Sequence, residues 1–183
     1  MFYFVDTEFT DFIETELMSI GIVSEDGKHE FYAEVNSYTP EARSQFVIDV
    51  VVPLMEPAKY GRPYKRVASD LAYWINELPE GNITFVFDYI GDFQLMNELF
   101  GVVEPSRKSN SIFLGAGFDQ MLVERGIHLP HVRFAAQQAM LREQEKYFTI
   151  DVRRHHALVD AKANCYGWVK GYEYAWKSQE ASV

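Results

Sequence analysis

The period of the apolar positions changes along this chain, and each stretch predicts its own element. Phe2-Tyr3-Phe4-Val5 reads as a buried strand that runs into charge at Asp6 and Glu8. Leu17 to Val23 and His29 to Val35 read as two more strands joined by the turn Ser24-Glu25-Asp26-Gly27-Lys28, so the first three strands are expected to form an antiparallel unit. Ile83 to Phe87 is a short β-branched and aromatic run of the same kind. Helical spacing at Val67, Leu71, Trp74, Ile75 and Leu78, bracketed by Pro63 and Pro79, predicts a helix from about Tyr64 to Leu78. Leu95, Met96 and Leu99 form the apolar stripe of another, with Asp92 placed as its N-cap. Helices are also expected from about Pro40, over Gly115 to Glu124, and over about Ala157 to Lys177, while Pro105 to Ser111 and Gly126 to Arg133 read as loops. Trp168, Tyr172 and Trp176 recur at four-residue steps on the last helix, a stripe for the core or for another subunit.

Composition narrows the class. A chain of 183 residues with 48% hydrophobic and 15% aromatic residues suits one compact domain over residues 1–183 and argues against disorder. No internal repeat or low-complexity linker interrupts it. One cysteine, Cys165, excludes an intrachain disulfide framework and points to a reducing compartment, with helix packing as its expected place. No N-terminal signal pattern and no apolar run of membrane-spanning length is visible, so the expectation is a cytoplasmic protein with no membrane partner. His128 and His131 lack cysteine neighbours and read as a loop-surface pair, not a zinc site.

The candidate chemistry begins where the first strand ends. Asp6 and Glu8 project from the same face of a strand, and two like charges held together call for a hard divalent cation or a proton; turn capping or plain solvation is the alternative. Aspartic proteases also place an Asp-Thr pair at a strand end, but their motif needs Gly where this chain has Glu8. Near the other terminus, His155 and His156 precede Asp160, which is flanked by apolar residues where a lone carboxylate is costly. Histidine titrates near neutral pH and suits deprotonation of a water, although a histidine pair at a helix start can also be plain surface. Asp88 and Asp92 follow the Ile83 to Phe87 strand, where a strand-end residue and a helix cap are the plain readings.

Taken in order, Asp6-Thr7-Glu8, then Asp92, then His155 and Asp160 resemble the exonuclease family named for its three Asp, one Glu and one His (DEDDh). Phe31-Tyr32-Ala33, Thr39 to Pro53 and Arg154 to Ala161 resemble the compact bacterial and phage 3′-5′ exoribonuclease branch, and the likeness covers almost the whole chain. It implies an α/β, ribonuclease H-like fold: three antiparallel N-terminal strands plus parallel strands in a mixed sheet flanked by helices. It also implies two Mg²⁺ or Mn²⁺ ions per site, with Asp6 bridging them, Glu8 and Asp160 completing one site, Asp92 supporting the other, and His155 as general base. The partner would be a nucleic acid with a free 3′ end, RNA in this branch, losing nucleoside 5′-monophosphates. DNA at the same site is the alternative, and a non-catalytic nucleic-acid-binding module is the competing class. A homodimer is typical of the branch.

Two registers are settled by the resemblance and not by spacing. Related proofreading exonucleases have Asn at the strand end and the metal-site Asp four residues on, which puts Asp88 at the Asn position and Asp92 at the metal; Asp88 departs from that pattern. On one continuous helix Asp160 would share a face with His156, whereas the family register selects His155. Both hold if the helix begins near His156 or Ala157, with His155 on a loop and His156 a first-turn surface residue. Thr7 and Phe9 are substrate candidates, Phe9 by stacking on a base, with a core phenylalanine as its plain reading.

The net charge of −10 opposes approach to a polyanion. Basic residues cluster at Arg62, Lys65 and Arg66, at Arg107 and Lys108, and at Arg153 and Arg154 beside the expected base, so few phosphate contacts and a short substrate footprint are expected.

Overall fold

The computed structural model describes residues 1–13 and 15–181. Its frame is a six-stranded sheet in the order β4-β3-β2-β1-β5-β6, made of β1 (Phe2–Phe9), β2 (Leu17–Ser24), β3 (Glu30–Val35), β4 (Gly61–Arg62), β5 (Ile83–Phe87) and β6 (Ser109–Phe113). β1, β2 and β3 pair antiparallel, as the turn at Ser24 to Lys28 predicts, while β5 joins β1 and β6 joins β5 in parallel. This is the mixed sheet of a ribonuclease H-like fold, flanked by helices on both faces.

Strand alternation assigns the faces. Tyr3 and Val5 pack with α2 (Tyr64–Glu77) and α3 (Ile90–Val102), through Val67, Leu71, Ile75, Leu95, Met96 and Leu99. Phe4 points the other way, into a second core with α4 (Leu114–Glu124), α5 (Pro130–Tyr147) and α6 (Ala157–Glu180). Trp168 of α6 is fully buried there, its ring centroid 5.1 Å from Phe2, 5.4 Å from Phe4 and 5.1 Å from Phe118. A buried aromatic of this size contributes several kcal/mol and ties α6 to β1. The expected stripe enters the core only at Trp168; Tyr172 is half-buried and Trp176 is exposed. Cys165 is buried on α6, its thiol facing the backbone oxygens of Ser24 and Glu25, so it packs as expected. No helix among the described residues is long and apolar enough to cross a membrane.

Three expectations need correction. The segment after Pro40 is not a regular helix but a 3₁₀ turn at Pro40–Ala42, one wide turn at Val47–Val51 and another 3₁₀ turn at Val52–Leu54. The run Val47-Ile48-Asp49-Val50-Val51-Val52 is rich in β-branched residues, and Pro53 removes a helical donor, so a straight α-helix is disfavoured. The supposed loop Pro105 to Ser111 contains the start of β6, an edge strand whose Ser-Asn-Ser beginning carries no apolar alternation. The supposed loop Gly126 to Arg133 runs into α5, which starts at Pro130; exposed Phe134 and Leu141 blur the period of its buried Val132, Ala136, Ala139 and Met140. The remaining helical turn, α1 (Pro57–Tyr60), leads into β4.

The start of α6 lies almost on the sheet. A Cβ at Gly21 of β2 would sit 2.2 Å from the Leu158 nitrogen and 2.4 Å from the Ala157 carbonyl carbon, so only glycine permits this approach. In the register, Gly21 is flanked by Asp6 on one side and Tyr32 on the other. Gly21→Ala should therefore cost about 1–3 kcal/mol or more by forcing backbone apart. Gly101→Ala in α3, where a Cβ meets nothing within 4 Å, should be neutral or stabilising. Thermal unfolding of both variants checks this, and equal melting temperatures would contradict the close packing.

Candidate metal centre

Parallel pairing of β1 and β5 brings two acidic strand ends together. Val5 lies opposite Phe87, so the next residues, Asp6 and Asp88, emerge side by side at the carboxyl ends of the strands, where open α/β sheets bind ligands. Glu8 lies one pleat beyond Asp6 on the face that α6 covers, and a bulge follows between Glu8 and Phe9. Asp92 comes from the first turn of α3 and Asp160 from the first turn of α6. All five acids and His155 line one cavity of about 660 Å³.

Their ligand atoms fall into two groups, each with every atom within 4.8 Å of the others: Glu8, His155 and Asp160 in one, Asp6, Asp88 and Asp92 in the other. The expected set thus converges, and exposed Asp88 joins it at the position where the resembled pattern has Asn. Asp92 is not the N-cap of α3; Tyr89 holds that place, and Asp92 is buried in the first turn. Its Oδ1 accepts the Thr7 backbone N–H at 3.1 Å and the Thr7 hydroxyl at 2.6 Å. Thr7, a substrate candidate by sequence, lines the cavity with its hydroxyl committed to orienting that carboxylate.

The histidine register resolves at the backbone. α6 begins at Ala157 with His156 as N-cap, and His155 sits before it at φ 69°, the left-handed region that L-residues seldom occupy. Its N–H donates to Asp160 Oδ2 at 3.0 Å, its ring meets Phe46 edge-on at 5.0 Å, and it lines the cavity. His156 is not a surface residue as expected; it is buried and turned away from the cavity, stacked on Tyr32 at 4.5 Å. The spacing argument assumed a continuous helix through both histidines, and the left-handed residue breaks it.

No lysine or arginine among the described residues lines the cavity. Burial raises Asp6 well above the carboxylate range, helped by Asp92, Glu8, Asp160 and Asp88. Burial, then Asp160 and Asp92, push Glu8 up to about 8. Asp92 rises to about 7 through burial, opposed by its Thr7 hydrogen bond, and Asp160 to about 7 through burial, opposed by the His155 N–H and by Arg154. Burial and then Arg154 lower His155. Asp160 Oδ1 is buried with no protein partner. Clustered carboxylates with an orphaned buried oxygen are the donor set of a hard divalent cation.

The cavity walls are aromatic, and most of them were not foreseen. Phe9 and Tyr89 lie face to face at 6.3 Å, and Phe12 meets Phe9 edge-on at 5.2 Å. Phe46 and Val47 line the cavity too, brought there by the irregular turns that replace the expected helix. The basic clusters are largely engaged elsewhere. Arg107 donates to the carbonyls of Leu78 and Gly81, Arg153 pairs with Asp151, and Arg154 pairs with Glu145 while lying over Phe148. His128 and His131 are both exposed, as expected of a surface pair.

Two proteins named 3′-5′ exoribonuclease, from two strains of Mycobacterium tuberculosis, are each 45% identical to this chain over 58 residues, 31% of this chain and 34% of the relative. The chain spans about a third of the length of the curated relatives it matches. No family model matches it.

The raised carboxyl groups tie stability to pH. Above the unfolded carboxyl range of about 4, the folded protein holds protons that the unfolded chain has released, so stability falls as pH rises through the folded values near 7 and 8. Lowered His155 and His156 act in the opposite sense, but only below about pH 6.5. In EDTA the melting temperature should therefore drop between about pH 6.5, where the histidine contribution ends, and about pH 8, and a divalent cation should restore more of it at the higher pH. A flat profile that added cation leaves unchanged would contradict the cluster's electrostatics.

Proposed function

We propose that this chain is a metal-dependent 3′-5′ exonuclease acting on RNA and releasing nucleoside 5′-monophosphates. The observation that carries the reading is the convergence of Asp6, Glu8, Asp92, Asp160 and His155 in one cavity that no lysine or arginine among the described residues lines. The similarity to proteins named 3′-5′ exoribonuclease supports the reaction class and is the ground for favouring RNA.

Asp6, Glu8, Asp92 and Asp160 would hold the metal, with Asp88 beside Asp6 and Asp92. When bound, two Mg²⁺ or Mn²⁺ ions supply the charge that stabilises the attacking and leaving oxygens of an in-line displacement at phosphorus. The chain's own groups do the rest. His155, kept neutral by its lowered pKa, takes a proton from the attacking water. The water oxygen bonds to phosphorus as the bond to the 3′ oxygen breaks, and that oxygen takes up a proton from solvent, leaving a strand one nucleotide shorter with a 3′-hydroxyl and a nucleoside 5′-monophosphate. Thr7 holds the Asp92 carboxylate in place with two hydrogen bonds. The Phe9, Phe12 and Tyr89 wall offers ring faces for the terminal base, an interaction that tolerates any base.

The test is cleavage of a 5′-labelled 3′-overhang RNA and its DNA counterpart with Mg²⁺, Mn²⁺ or EDTA. The expected result is a ladder that shortens from the 3′ end, needs divalent cation and runs faster on RNA. Asp6→Ala and Asp160→Ala should each lose about 10³-fold or more in turnover while melting no lower without metal, since each removes one member of a repelling set. No product on either nucleic acid, with wild type and Asp6→Ala alike, would overturn the proposal.

A further inference from the structure

Adjacent histidines at the start of α6 point in opposite directions, one into the acidic cavity and one away from it. Something must hold that divergence, because His155 occupies a left-handed backbone conformation that persists only where the surroundings enforce it. Two of the restraints lie on its own side: the N–H bond to Asp160 Oδ2 and the edge contact with Phe46.

The third lies behind it. His156 is the N-cap of α6, yet its side chain makes no capping hydrogen bond, and the position is one where Ser, Thr, Asp or Asn would serve the helix better. Only its backbone oxygen serves the helix, accepting the N–H groups of Val159 at 2.7 Å and Asp160 at 3.0 Å. Its ring instead lies flat on Tyr32, with centroids 4.5 Å apart and planes 19° from parallel. Tyr32 is itself fixed. Its hydroxyl donates to Glu34 Oε1 at 2.8 Å, the same oxygen accepts the Glu56 N–H at 2.8 Å, and Tyr60 meets the ring edge-on at 4.9 Å. Glu34 is fully buried.

Sheet register shows what this bracket grips. Asp6, Gly21 and Tyr32 form one row across β1, β2 and β3, and the first turn of α6 rests on the bare Gly21 in its middle. Asp6 therefore stands on one side of the helix start and Tyr32 on the other. A ring stacked on Tyr32 fixes the peptide joining His155 to His156, and with it the direction in which His155 leaves the helix.

We infer that Tyr32 is a positioning residue, acting through its stack on His156 to hold His155 in the cavity beside Glu8 and Asp160. Its kinetic consequence rests on the exonuclease reading above; its structural consequence does not. Two measurements on the same variants separate the two. Hydrogen exchange of the His155 amide, followed on metal-free protein, should quicken about tenfold in His156→Ala and in Tyr32→Leu, and return close to wild type in His156→Phe, which restores a flat ring. With Mn²⁺ and RNA, His156→Ala should lower kcat about 10- to 100-fold with little change in KM or in Mn²⁺ affinity, and His156→Phe should recover most of it. On a His155→Ala background, His156→Ala should cost nothing further, as expected of a residue that acts only through His155. Unchanged exchange in His156→Ala, or a double variant slower by the product of the two single effects, would overturn the inference. Should wild type show no turnover, the exonuclease reading fails by itself and amide exchange alone decides the positioning role.

Discussion

Mutual repulsion of buried carboxyl groups is the constraint around which the rest of this chain is arranged. Burial pushes Asp6, Glu8, Asp92 and Asp160 toward their protonated forms, neighbouring acids add to it at Asp6 and Glu8 above all, and no lysine or arginine among the described residues lines their cavity. A fold built for stability alone would space these groups apart or pair them. Here they are held together by rigid elements, from β1 and the first turns of α3 and α6, and the free energy that opposes their assembly becomes available to a cation.

Holding them requires anchoring away from the site. Trp168 locks α6 against Phe2, Phe4 and Phe118 more than two turns after Asp160, and Gly21 lets the helix start close onto the sheet. Thr7 does for Asp92 locally what this packing does for Asp160 globally. The aromatic wall has another task. Phe12 and Tyr89 remain exposed at the cavity mouth, where ring faces can accept a flat partner without adding a cation that would compete for the acids.

Much of this was legible in the sequence because it rests on short-range pattern. The antiparallel unit and the helix over Tyr64–Glu77 follow from alternation, helical spacing and a turn, Asp6, Glu8 and Asp160 announce themselves by their cost, and the start of α6 and the place of Asp92 come from the family resemblance. What escaped depends on contacts distant in sequence. β6 is a strand because β5 offers it an edge, and its Ser-Asn-Ser start has no pattern of its own. α5 hides behind exposed Phe134 and Leu141. The fate of His156 turned on the ring of Tyr32 in a distant strand and on a left-handed residue before it, and neither leaves a periodic trace. Asp92 looked like a cap because its place beside a strand end suits one, while its actual bonds run to Thr7 on another strand.

The central claim is that these carboxylates form a cation site, and crystals soaked in Mn²⁺ test it most directly. Anomalous difference density should show two peaks, one beside Glu8 and Asp160 with the His155 ring left free and one among Asp6, Asp88 and Asp92. Density at neither position after a soak at about pH 8, at or above the values to which Glu8, Asp92 and Asp160 are raised, would contradict the account.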